Sequence, residues 1–243
     1  TTETYIRGKR VYDFNFQLAD ASGYFNTSVM CHEMFHTLGA PDLYHYNDST
    51  DMTPIGSWDL MAGNSTPPQQ TCAYMKYKYG NWITNEQLIP LEQYGTYIIK
   101  PLNSETSDRV CYYAKTQSPF EYILLDFRNK RNPFDTGVPG YGIVFYRINT
   151  LFHGNANYNG DDNLDEIYVF RHNGSPTENG AVSQAYFRDN VATRNDFSPL
   201  TNPYPFISNG EFVPVFFNNF THGRDSMQFD FVQWVSVSDY DTG

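Results

Sequence analysis

The part of this sequence best equipped for chemistry is His32-Glu33-Met34-Phe35-His36. Residues four apart on a helix share a face, about 6 Å apart along the axis. His32 and His36 can therefore aim two imidazoles at one metal ion, the arrangement behind His-Glu-x-x-His zinc sites. Glu33 lies about 100° further round the helix. It is poorly placed to be a ligand but well placed to reach a water on the open side of the ion, where a general base belongs. Gly39 permits a sharp turn and Pro41 fixes the exit, so Asp42 can swing back as the third ligand. Two imidazoles, one carboxylate and an open position suit catalytic Zn2+. Cobalt or manganese could substitute in vitro.

The elements that must hold these groups are also legible. Asn26 and Thr27 are good N-caps for a helix over Ser28 to Leu38, which contains no breaker and stops at Gly39 and Pro41. Before it, residues 11 to 20 alternate Tyr12, Phe14, Phe16 and Leu18 with polar neighbours, predicting a half-buried strand. A loop rich in Asn, Asp, Ser and Pro follows to about residue 70, then a short helix over Cys72 to Tyr79 that ends at Gly80. Beyond about residue 90 the texture is β. Strands are predicted over Tyr97–Lys100, Val110–Lys115, Tyr122–Phe127, Gly142–Ile148, Ile167–Arg171, Phe212–Phe217 and Met227–Val237, separated by Asn, Gly and Pro turns. The fold class is α+β: residues 1–90 carry the metal motif, and 91–243 form an antiparallel β-sandwich or jelly-roll region.

Composition narrows the function. The 243 residues carry 16 Lys+Arg against 27 Asp+Glu, a formal charge of −11, with no basic stripe to meet phosphates; nucleic acid is excluded as a partner. Forty per cent apolar residues rule out a disordered chain, and no apolar run approaches the roughly 18 residues of a membrane span. Cys31, Cys72 and Cys111 are an odd set at no metal-like spacing and read as small buried hydrophobes. The acids and amides of Asn159 to Glu166 offer Asp161, Asp162 and Asp165 to a possible Ca2+ loop, although position twelve from Asp161 is His172 rather than the EF-hand glutamate. His45, His153, His172 and His222 have no partner at ligand spacing and read as loop or surface histidines. No phosphate loop or serine-hydrolase elbow is present.

His32 to Tyr44, His-Glu-Met-Phe-His-Thr-Leu-Gly-Ala-Pro-Asp-Leu-Tyr, resembles the extended zinc motif of the immune inhibitor A metallopeptidases, secreted bacterial enzymes of the metzincin type. Gly56 to Gly63 is similar to that family's Met-turn, with Met61 beneath the metal, and Pro67-Pro68 with Lys76 to Trp82 to the helix after it. Glu121 to Arg128 and Phe134 to Ile143 resemble its downstream β region. The resemblance implies a zincin-like catalytic part, here partial, with His32, His36 and Asp42 as ligands, Glu33 as base, and Gly39 and Met61 as structural residues of the site. Metzincins more often use histidine as the third ligand, and Asp59 beside the Met-turn is the reserve candidate. Only 31 residues precede His32, where such peptidases usually carry a substantial β-rich half. The expectation is a fragment of a longer protease or one with a reduced upstream half, exported by a signal peptide outside this chain.

The function this implies is a secreted zinc endopeptidase acting on a protein or peptide substrate. A different class, an extracellular adhesin or glycan-binding module with a vestigial zinc site, would use aromatic-rich strands to stack on sugars.

Overall fold

The structure is a computed structural model that describes residues 3–11, 15, 25–46, 52–104, 108–155 and 165–233. The chain is mostly β, with two α-helices among the described residues. A small hairpin, β1 (Tyr5–Ile6) and β2 (Lys9–Arg10), comes first. Next are α1 (Thr27–His36) and α2 (Ala73–Lys78), then β3 (Leu88–Pro90), β4 (Gly95–Ile99), β5 (Cys111–Lys115), β6 (Glu121–Arg128), β7 (Gly142–Asn149), β8 (Ile167–Val169), β9 (Tyr186–Phe187), β10 (Val215–Asn218) and β11 (Met227–Gln233). The strand expected over residues 11 to 20 lies almost wholly outside the described residues.

The strands form two larger sheets. One runs β3-β5-β6-β7-β8 with β9 also on β7; the other runs β10-β11-β4. Pairings are antiparallel except β3 with β5, which is parallel. The reason is topological: between β3 and β5 the chain crosses to the second sheet to form β4, then returns in its original direction.

The six-stranded sheet is covered on both faces, which explains why every residue of β7 is buried. Side chains alternate across a strand. Leu124, Val144, Tyr146, Ile148, Ile167 and Val169 share one core with Phe35, Leu43, Trp58, Met61, Tyr74 and Met75 from the helical layer. Their neighbours Ile123, Leu125, Phe127, Ile143 and Phe145 share another with Ile99, Val215, Phe217, Met227, Phe229 and Phe231 of the three-stranded sheet. Phe145 lies within 5.0 Å, centroid to centroid, of Phe187, Phe197 and Phe217. Many of the strand aromatics thus serve this interior.

No helix among the described residues is long and apolar enough to cross a membrane. All three cysteines are free thiols; Cys72 and Cys111 are buried and Cys31 is partly so.

Candidate metal centre

α1 starts where the sequence puts it. The Asn26 side chain accepts from the backbone N–H of Ser28 at 2.9 Å and of Val29 at 3.4 Å. It ends two residues earlier than predicted, at His36, and residues 37–39 unwind into a turn. Gly39 takes φ +91°, a left-handed conformation costly for a side chain. The chain then doubles back through Pro41, bringing Asp42 beside the helix it has just left.

His32 and His36 face one another with ring centroids 4.8 Å apart and planes at 86°. Asp42 Oδ1 lies 3.0 Å from His32 Nε2 and 3.4 Å from His36 Nε2. The three ligand atoms all lie within 4.8 Å of one another, the single such group among the described residues. Each imidazole is set from behind: Nδ1 of His32 sits 3.0 Å from the Leu60 carbonyl, and Nδ1 of His36 sits 2.7 Å from the Ala40 carbonyl. A carbonyl can only accept, so both Nδ1 atoms carry the proton and both Nε2 atoms of the neutral rings present lone pairs.

That assignment makes the centre a convergence of acceptors. Asp42 Oδ1 is buried and receives no hydrogen bond. Two nitrogen lone pairs and a carboxylate oxygen meet with no donor between them, an arrangement that calls for a cation. Four-coordinate zinc with bonds of about 2.0–2.2 Å spaces its ligand atoms about 3.3–3.5 Å apart, close to the two Asp42 contacts of 3.0 and 3.4 Å, while the imidazole nitrogens lie within 4.8 Å of each other. The residues therefore fit a divalent metal by donor type and by spacing.

Without a metal the only cation available is a proton. Burial works against a charged His32, but a protonated ring would donate to Asp42 3.0 Å away, and that contact, the Leu60 carbonyl and the charges of Asp42 and Glu33 outweigh burial, so its pKa is raised. Burial likewise pushes the Asp42 carboxyl up, yet the same contact with a protonated His32, the Tyr46 hydroxyl and the two imidazole charges bring it below its ordinary value.

The surrounding loops hold Asp42 in place. The Met61 carbonyl accepts from Leu43 N–H at 2.9 Å, next to the Leu60 carbonyl that orients His32, so one turn braces both ligand-bearing segments. Met61 is fully buried in the core beneath. From the other side, Asn155 N–H donates to the Asp42 carbonyl at 2.9 Å. Gly154, at φ +80°, packs so closely that a Cβ there would stand 2.6 Å from Pro41 Cβ and 2.7 Å from the Asp42 carbonyl oxygen.

Glu33 is half-buried and makes no hydrogen bond or ion pair among the described residues. Its charge is felt by His32, Tyr44 and Tyr46. Asp59, the reserve ligand, is not in the group. It is fully buried, and its oxygens accept from Met61 N–H, the Thr71 hydroxyl and Cys72 N–H at 2.8, 2.7 and 2.6 Å. It ties the turn to the start of α2 instead.

The sequence reading missed several residues. His45, expected as a loop or surface histidine, has a side chain only 4% exposed, with Nε2 2.7 Å from Asp165 Oδ1. This occupies one of the three acids considered for calcium; Asp161 and Asp162 lie outside the described residues. The Tyr46 hydroxyl donates to Asp42 Oδ2. An apolar cleft of about 590 Å³, lined by Cys31, Met34, Leu38, Trp82 and Phe134, is on the side of α1 turned away from the imidazoles and forms no part of the centre.

No family model, no curated protein and no solved structure matches this chain.

Proposed function

We propose that this chain is the metal-bearing part of a secreted zinc endopeptidase of the immune inhibitor A type, with a partial zincin-like layer followed by a β-sandwich-like region. The observation that carries the reading is the donor-free meeting of His32 Nε2, His36 Nε2 and Asp42 Oδ1, one helix position from Glu33, whose side chain makes no hydrogen bond or ion pair among the described residues. A structural metal site would be closed by a fourth protein ligand. Among the described residues three converge, which suits a catalytic centre.

His32, His36 and Asp42 would hold zinc, which when bound polarises a carbonyl and lowers the pKa of water to about 7. Glu33 takes a proton from the attacking water and returns it to the leaving amine. The exposed ring of Tyr44, 6.4 Å from His32 between centroids, walls the approach to the same space.

The test is zinc analysis together with casein digestion, with and without chelator. Wild type should hold one zinc and cleave casein until chelated. Glu33→Ala should keep the zinc and lose at least about 100-fold in cleavage, the lower end of what a general base contributes. Full activity in that variant would sink the mechanism. Zinc uptake without cleavage, in this chain and in a longer one, would favour the binding-module reading.

A further inference from the structure

Asp42 has two oxygens, and the structure uses them differently. Oδ1 faces His32 and His36, at 3.0 and 3.4 Å, while Oδ2 accepts a hydrogen bond from the Tyr46 hydroxyl. The Tyr46 ring is 63% exposed, so its direction needs an anchor. His45 supplies one. Its side chain points inward to Asp165, a pair only 4% and 5% exposed, while Tyr44 and Tyr46 on either side turn toward the metal centre with ring centroids 5.4 Å apart. Tyr44 and Tyr46 flank His45 directly in the chain, so locking His45 restricts the backbone that carries both.

We propose that Tyr46 is a positioning residue that fixes how Asp42 meets a metal. By occupying Oδ2 it presents the carboxylate through Oδ1 alone and prevents it from chelating with both oxygens. A hydrogen bond to an ionised carboxylate is among the stronger neutral-to-charged contacts, and it must be broken before Oδ2 can turn inward. A one-oxygen Asp42 leaves the fourth position of a four-coordinate ion free for water or substrate; a two-oxygen Asp42 would crowd it. Metal sites are routinely tuned by such partners of the ligands. The inference rests on the metal-centre reading above.

The experiment is cobalt(II) chloride titration of wild type and Tyr46→Phe, followed by visible absorption. The exposed ring is retained in the variant and only the hydroxyl is lost, so folding should be unaffected, and circular dichroism checks it. Wild type should take up one cobalt with the intense bands of a four-coordinate ion. Tyr46→Phe should still take up one, with bands weakened at least roughly twofold and shifted toward a five-coordinate pattern. Identical spectra in the two proteins would overturn the role of Tyr46 and leave the metal centre standing. A wild type that takes up no cobalt would overturn the metal centre and this inference with it.

Discussion

The two faces of the six-stranded sheet solve different problems. The face toward the three-stranded sheet is packed with phenylalanines and aliphatic residues, and Phe145, Phe187, Phe197 and Phe217 interlock there. Its buried Arg147 lies over the Tyr168 and Phe206 rings, 3.8 Å from Glu121 Oε2. The face toward α1 and α2 carries, besides apolar residues, buried charges that bond to the backbone of the loops. Arg128 donates to Asp126 at 3.0 Å, to Asp135 at 3.3 Å, and to the carbonyls of Trp58 at 3.2 Å and Gln70 at 3.3 Å. Asp126 in turn accepts from Ala73 N–H, at the start of α2, at 3.0 Å. Beyond β7, Glu166 accepts from Tyr74, Tyr79 and Lys78 and from the N–H of Gly154, the residue packed against the Asp42 loop. Sheet packs on sheet with its backbone bonds already made. The layer that carries α1, α2 and the candidate centre is largely loop, whose backbone groups have no ladder to satisfy them. Buried side-chain charges supply those bonds and fix each loop in one position.

Breaking one member on each face should separate the two roles. Arg128→Leu strands Asp126 and Asp135 and frees the Trp58 carbonyl just before the turn at Met61. It should cost about 3–5 kcal/mol and abolish metal binding. Phe145→Leu should cost about 1–3 kcal/mol and leave the zinc affinity of the folded protein unchanged. Chemical denaturation with zinc titration reads both, and equal loss of zinc in the two variants would erase the distinction between the faces.

A smaller effect sharpens the comparison inside the metal layer. Gly154→Ala combines a left-handed φ with a Cβ clash on Pro41 and the Asp42 backbone. It should cost about 1–3 kcal/mol and weaken zinc binding by displacing Asp42. Gly39→Ala has the same φ problem but nothing within 4 Å of the added carbon. It should cost about 1 kcal/mol and disturb zinc binding less. The reverse order, measured by thermal melts and zinc titration, would mean that the Gly154 contact does not hold the ligand loop.

The smallest effect is the pH response of the metal-free protein. His32 is raised in the folded state, so its contribution is fully present below the ordinary histidine pKa of about 6.5 and fades as pH rises through the higher folded value. Asp42 is lowered, so its contribution is present above the ordinary carboxylate range and fades as pH falls through its folded value. The pair therefore stabilises between those limits. Zinc must displace the His32 proton, so apparent zinc affinity should fall as pH drops through the raised His32 pKa. Denaturation and zinc titration across pH 4 to 9 should follow these slopes, and His32→Gln should flatten the upper one.

What the sequence revealed follows from the range of the interactions. The spacing of His32 and His36, the cap at Asn26, the turn at Gly39 and the β-forming runs of β6 and β7 are all set by neighbours within a few residues, and the structure follows them. Asp42 was readable because Gly39 and Pro41 constrain the path to it. His45 was not, because its partner Asp165 is 120 positions away, and a histidine between two tyrosines carries no sign of burial. The same holds for Arg128, buried against Trp58, 70 positions upstream. The parallel β3–β5 pair depends on β4 leaving for another sheet, which no local pattern encodes.

The central claim is that three acceptor atoms, one of them from Asp42, meet to hold a metal. The most direct measurement is zinc titration of Asp42→Ala beside wild type at neutral pH, with folding verified by circular dichroism. The account predicts one tightly bound zinc in wild type and an affinity at least about 100-fold lower in the variant, at or beyond what losing a supporting partner alone would cost. Equal zinc binding by the two proteins would contradict it.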